Sequence, residues 1–377
     1  LSRVTGVFFH LASANTNSEL QKISQEVSPL LSKHGDDISL NPILFKKVKT
    51  LYEKRKKLNL NPEQLTILEK TYKGFIRQGA NLNNSKKEEL RKINEELSLA
   101  SLKFRENVLR ETNSFELVID NEKDLAGLPQ SAIDAAKYDA KLKGYENKWV
   151  FTLQAPSYRP FITYSDKREL REKLFKSSIN RANNNNEFDN KAIVDKMVRL
   201  RLKRAKLLGY KSHSHFVLDE YMAKSTKNVY DFLMKIWEPA LKTAKVELAE
   251  LKKLAEKDGI TGNLQPWDWS YYAEKLKIQK YDLDEEMLRP YFKLENAIQG
   301  LFTVVNKLYG IKIEERKDIA VYHPDVKVFE LKESNGKHIG IIYTDYFPRE
   351  SKRAGAWSNN FRSQSNIEGN FITPICY

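Results

Sequence analysis

Asn41-Pro42 and Asn61-Pro62 each set a capping side chain beside a proline whose missing N–H costs nothing in the first turn of a helix. Each pair is followed by apolar residues at helical spacing. Phe45, Val48 and Tyr52 follow the first, and Leu65, Leu68, Tyr72 and Phe75 follow the second. A start signal joined to a 3.6-residue period restricts such a segment to an amphipathic helix that must bury one face. Thr16 with Glu19, ahead of Leu20, Ile23, Val27 and Leu30, carries the capping-box pattern, and so does Ser85 with Glu88, which opens a run to about Leu109. The first 110 residues are therefore expected to form four packed helices.

From Phe115 to Tyr164 the pattern loosens into strand-like FELVI and KWVFTL around a helical Ser131–Lys143, punctuated by Pro129, Gly144, Pro156 and Pro160. Pro156 and Pro160 bracket Tyr158 and Arg159, which predicts a surface turn entering a long helix around Asp166–Asn180. A boundary near residue 150 follows, giving an N-terminal helical lobe at 1–150, with strand-like pieces after 115, and a second helical region at 151–377. The tract Asn183–Asn186 reads as a loop of polar caps. Helices are expected to resume over Lys191–Leu208, Lys227–Lys257 and Glu285–Tyr309, the second ending at Asp258-Gly259 where glycine takes the left-handed closing conformation. No repeat period recurs, so a solenoid is disfavoured. The fold class is mainly α.

One segment breaks that pattern. Val326, Val328 and Phe329 to Leu331, then Ile339, Ile341, Ile342 and Tyr343, flank Asn335-Gly336, a pair suited to the positive φ angles of a tight turn. A β-hairpin over 326–347 is predicted. It would serve either as a ribbon covering a core or as a sheet edge against which an extended peptide can lie.

Charge and composition add bounds. With 64 basic and 50 acidic residues the chain carries +14, enough for non-specific attraction to polyanions. The densest basic run holds Arg199, Arg201, Lys203, Arg204, Lys206 and Lys211, but Val194, Val198, Leu202, Ala205 and Leu208 recur through it at helical spacing. The cations are therefore read as the wet sides of an amphipathic helix, with no specific nucleic-acid partner. No apolar run approaches the roughly 18 residues of a membrane span. The single cysteine, Cys376, is read as a small buried hydrophobe in a reducing compartment.

Three clusters look chemical and have plainer readings. His213 and His215 point apart on a helix and lack companions to complete a metal shell. Asp282, Asp284, Glu285 and Glu286 precede a helix and suit its N-terminal dipole. Trp267, Trp269, Tyr271 and Tyr272 could line a groove, but core packing is the first reading.

Six segments share an order. LLSKHGDDISLNPILF (Leu30–Phe45), FIRQGANL (Phe75–Leu82), FDNKAIVDKMVRLRLKRAKLLGY (Phe188–Tyr210), DWSYYAEKL (Asp268–Leu276), VYHPDVKVFEL (Val321–Leu331) and YTDYFPRESKRAGAW (Tyr343–Trp357) together resemble the thimet oligopeptidase-like zinc metallopeptidases, in particular their bacterial peptidyl-dipeptidase branch. The resemblance implies a two-lobed, multi-helix architecture and a cleft that admits short unfolded peptides, with release of C-terminal dipeptides. It also implies zinc, held in the family by an H-E-x-x-H helix whose Glu is the general base.

None of His10, His34, His213, His215, His323 or His338 is followed by Glu, so no catalytic residue or metal ligand is assigned here. NFITPICY (Asn370–Tyr377) resembles the strand-like stretch shortly before that helix. The chain is accordingly expected to be an N-terminal portion, inactive alone, whose partners are short peptides and the missing C-terminal catalytic part. The intact enzyme is expected to be a monomer in the cytoplasm, with the periplasm as the alternative, and to have no membrane partner. A non-enzymatic basic scaffold that binds protein or nucleic acid is the competing reading. By resemblance Tyr343, Asp345, Arg349, Lys352, Gly355, Ala356 and Trp357 are the candidate substrate-cleft residues. The charges of Asp345, Arg349 and Lys352 are read first as salt links holding the loop, and otherwise as groups orienting substrate termini.

Overall fold

The computed structural model describes residues 1–369 and 371–377, and of Glu368 the backbone alone. Two compact units divide the chain, neither of them continuous in sequence. One comprises Leu1–Gln21, Leu109–Arg181 and Val246–Tyr377, and the other Lys22–Val108 and Ala182–Lys245. Among the described residues no helix is long and apolar enough to cross a membrane.

In the unit built on Lys22–Val108, Asn41 Oδ1 accepts from the N–H groups of Ile43 and Leu44 at 2.9 and 3.0 Å, and Pro42 opens the helix Pro42–Lys54. Asn61 and Gln64 form a reciprocal box at the start of Pro62–Arg77. The two helices meet along the expected aromatic stripe, with Tyr52 stacked on Tyr72 at 3.9 Å and Phe45 near both Tyr72 and Phe75. Cap assignment fails at the other two starts. Asn83 Oδ1, not Ser85, accepts from Lys86 N–H at 2.9 Å, and in the companion unit Asn17 Oδ1, not Thr16, accepts from Leu20 N–H at 2.7 Å. An additional helix, Ser2–Ala14, makes five where four were expected before residue 115, and it has no side-chain cap to announce it.

The helix Lys191–Leu207 departs from its predicted face. Ala205 is buried, but Val194, Val198 and Leu202 are exposed. Arg204 is drawn off the wet side beneath Phe216, its guanidinium 5.6 Å from the ring centroid, and burial with the nearby Arg201 charge pushes its pKa down.

In the larger unit, β1 (Leu117–Ile119) and β2 (Trp149–Phe151) pair antiparallel around the helix Gln130–Leu142. Their inward residues join Leu125, Phe161 and Leu174 in one core. The turn expected at Pro156–Pro160 is instead a helix, Ala155–Tyr164. Pro156 sits in the first turn, where no N–H is needed, and Phe161 is buried 4.6 Å from Phe151, which offsets the bond Pro160 forfeits. A second core gathers Leu251, Ala255, Tyr271 and Tyr272. The single helix predicted over Glu285–Tyr309 is two, Glu285–Leu288 and Leu294–Tyr309, with Pro290 between them unable to continue the first.

The hairpin is not a lone ribbon. β3 (Lys312–Glu315), β4 (Lys327–Lys332), β5 (His338–Thr344), β6 (Asn360–Arg362) and β7 (Ile375–Cys376) form a mixed sheet in the order β3-β4-β5-β7-β6. Its turn is longer than the two residues expected. Glu333 N–H donates to Lys337 C=O at 2.8 Å and Gly336 N–H to Glu333 C=O at 2.9 Å, while Gly336 alone takes positive φ, +88°. A three-residue loop closing on a left-handed glycine satisfies the strand twist as well as the tight turn would. Asn370, first residue of the strand-like stretch before the chain's last residue, lies outside the described residues.

Candidate substrate cleft

β5 lies inside the sheet, which corrects the expectation of an edge strand, but only in part. β4 partners it from Lys332 opposite His338 to Lys327 opposite Thr344, whereas β7 partners only Ile341 and Ile342. Tyr343 and Thr344 thus have a registered neighbour on the β4 side alone, and there the strand runs into the predicted loop.

Asp345 anchors that loop. Its carboxylate accepts from Arg349 Nη1 and Nη2 at 2.9 and 2.7 Å, lies 3.0 Å from Lys352 Nζ, and accepts from the Tyr322 hydroxyl at 3.0 Å. Lys352 Nζ also donates to the carbonyls of Asp345 and Phe347 at 2.6 and 3.1 Å, and Arg349 to that of Ala14. All three charged side chains are mostly buried. Burial acts to raise the Asp345 pKa, but the bonds from Arg349, Lys352 and Tyr322 outweigh it and hold the carboxyl below its ordinary value. Burial and the Asp345 charge push the Tyr322 phenol up. These contacts are salt links that fix the loop's path. Tyr322 was not singled out in the sequence, although it stands in the recognised run Val321–Leu331.

Beyond the anchor the loop borders a cavity of about 570 Å³. Tyr343, Asp345, Lys352, Gly355, Ala356 and Trp357 all line it, and Arg349, the seventh candidate, lines the neighbouring cavity instead. Gly355 has φ +104° and open space where a side chain would begin, so the backbone, and not crowding, demands glycine. The Trp357 indole N–H donates to the Tyr377 hydroxyl at 3.3 Å and Arg353 lies over its ring at 4.5 Å. Arg159, Pro156 and Tyr377 also line it. Pattern reading gave no signal for them as wall residues, since Pro156 and Arg159 stand on the helix Ala155–Tyr164, far from the loop in sequence, and Tyr377 lies outside the loop motif.

The other clusters do structural work. Ser212 caps the helix His213–Leu218, and its hydroxyl meets His215 Nδ1 at 2.8 Å. Asp284 accepts from Glu286 N–H at 2.9 Å, as capping chemistry predicts. Tyr271 and Tyr272 are core residues, and Asp268, fully buried, takes a fork from Arg168 at 2.9 and 2.7 Å with Arg171 at 3.2 Å. Cys376 is only half-buried, with Sγ donating to Asn360 Oδ1 at 3.2 Å.

Comparison with known proteins adds the deciding observation: residues 161–377, more than half of the chain, match Peptidase family M3. The chain belongs to Peptidase family M3. The M3 chain is 36% identical over its whole length to the dipeptidyl carboxypeptidase of Escherichia coli (strain K12), of which it covers 55%. It is 34% identical to oligopeptidase A of the same organism, covering 56% of that protein, and 27% identical over 92% of its length to a thimet-like oligopeptidase of Dictyostelium discoideum. It therefore spans about half the length of these curated relatives. Among the described residues of the M3 chain, no group of three or more His, Cys, Asp or Glu is placed to hold a metal ion. The donors present among the described residues do not fit the zinc centre implied by the resemblance.

Proposed function

We propose that these residues form the non-ligating portion of a zinc peptidase that hydrolyses short peptides and releases dipeptides from their C-terminus, and that Tyr343–Trp357 is a wall of its substrate cleft. The observation that carries this reading is the convergence of six residues chosen from one loop motif on a single 570 Å³ cavity, within the size range of sites that enclose small ligands. Two features suit a peptide. The end of β5 beyond Ile342 offers backbone to which an extended chain can add, and Trp357 and Tyr343 offer apolar walls for alternate side chains. Zinc and its general base would come from residues other than those described, and the chain alone would be inactive. A monomeric, cytoplasmic enzyme is part of the same proposal.

A short peptide carrying a photoreactive group, irradiated with the 377-residue chain, should attach within Tyr343–Trp357. Attachment confined to other segments would remove the cleft from this loop.

A further inference from the structure

A second cavity, of about 760 Å³, adjoins the first, since Gln154, Pro156 and Pro348 line both. Its floor is the helix Gln130–Leu142, which presents Ala132, Ala135 and Ala136, and its apolar walls include Tyr138, Leu142 and Phe151. The charges around it do not balance. Lys143 Nζ is shared between Glu116 at 2.9 Å and Glu350 at 3.1 Å, so one cation serves two carboxylates. Arg349 and Lys352 are both committed to Asp345, and among the described residues the Asp325 carboxylate pairs with His323 alone, at 3.5 Å. Asp139, on the cavity wall, makes no side-chain hydrogen bond or ion pair among the described residues. Burial raises its pKa, with Lys143 opposing and Glu350 adding, which is the signature of a carboxylate short of a counter-charge.

These facts restrict what can occupy the space. An anion would meet a surplus of negative charge at short range. A wholly apolar molecule would strip water from Asp139 and return no hydrogen bond. A primary ammonium on an apolar body satisfies both the carboxylate and the walls.

We infer that this cavity receives the ammonium end of a peptide, with Asp139 as its counter-ion and the rest of the peptide leading past Pro156 toward the Trp357 cavity. The inference rests on the cleft reading for the remainder of that peptide. Under it, the chain selects peptides by what stands at their amino end, a function separate from any bond cleavage.

The test uses the intact 377-residue chain and three peptides of one sequence: with a free amino terminus, with an acetylated terminus, and acetylated with lysine at the first position. Calorimetric titration should show the free-amine peptide binding about tenfold tighter than the acetylated one, as a lost charged hydrogen bond predicts. Asp139→Asn should bring that ratio to near one while leaving the acetylated peptide's affinity unchanged, which also shows that the variant is folded. The lysine peptide reports whether a side-chain ammonium serves as well as a terminal one. Trp357→Ala should weaken all three peptides alike. Equal affinities in the unaltered chain, or a ratio that survives Asp139→Asn, would overturn the inference and leave peptide binding at the cleft standing. Absence of binding by all three peptides would remove both.

Discussion

At the scale of single residues, Asp345 determines whether the loop keeps its shape. Arg349 and Lys352 are each only 11% exposed, so removing the Asp345 charge would leave two buried cations against a neutral amide. Breaking a buried pair from one side commonly costs about 3–5 kcal/mol, and Asp345→Asn should lower urea-unfolding stability by that order at neutral pH. The pH dependence follows from the sign of the shift. Because the folded carboxyl titrates below its ordinary value, its contribution is complete above about pH 4, the unfolded range for aspartate, and disappears as the pH falls through the folded value. The gap between the parent and Asp345→Asn should therefore close in acid, and a gap independent of pH would show that the carboxylate is not what holds the loop. Gly355 and Ala356 separate backbone from space. Gly355→Ala places a side chain at φ +104° and should cost about 1–2 kcal/mol through the backbone, although nothing lies within 4 Å of the added atom. Ala356→Leu intrudes on the same cavity without that penalty. It should weaken peptide binding several-fold with an unchanged melting temperature, and unimpaired binding would take Ala356 out of the wall.

At the scale of elements, local chemistry was legible where cap and period agreed and was lost where tertiary contacts decided. Asn41 and Asn61 start their helices as their sequences announce, because side chain, proline and apolar spacing all favour one register. Thr16 and Ser85 failed because Asn17 and Asn83 supply the capping oxygens instead, which sets the helix starts at Ser18 and Asn84. Pro156 and Pro160 read as a turn until the burial of Phe161 is known. The loop Tyr343–Trp357 was singled out through a motif, whereas the adjoining cavity was not: Ala132, Ala135, Ala136, Asp139 and Leu142 share a helical spacing, but the residues that face them come from other elements distant in sequence. The helix Thr226–Lys257 shows a different limit. Tyr230, Phe232, Leu233, Ile236, Trp237 and Leu241 are all exposed although their periodicity is helical, and every residue from 230 to 243 is exposed. A helix apolar on several sides is ordinarily enclosed, and an exposed patch of that kind promotes association. Changing Phe232, Ile236 and Trp237 to serine should leave unfolding stability within about 0.5 kcal/mol per site, as for other exposed positions, while reducing self-association measured by sedimentation. A large loss of stability would mean that these side chains are packed.

At the scale of the whole molecule, the basic-scaffold and peptidase readings predict different responses to salt and to zinc. A surplus of +14 will draw polyanions whatever the protein's role, and counterion release makes that attraction fall steeply with ionic strength. Binding of a short peptide by enclosed walls and one or two ion pairs has no comparable dependence, so heparin affinity should collapse between low and moderate salt while peptide affinity changes little. Zinc provides the stricter division. Metal-assisted hydrolysis needs three protein ligands that leave a fourth position for water. None of the six histidines is followed by glutamate, and the described residues bring no three donors together. With one equivalent of zinc, the 377-residue chain should bind a fluorogenic peptide and leave it uncut at the rate of zinc in buffer. Retained binding without turnover would locate recognition in this portion and chemistry in residues it does not supply. Cleavage that saturates at one zinc per chain would instead mean that donors distant in this structure assemble around the ion.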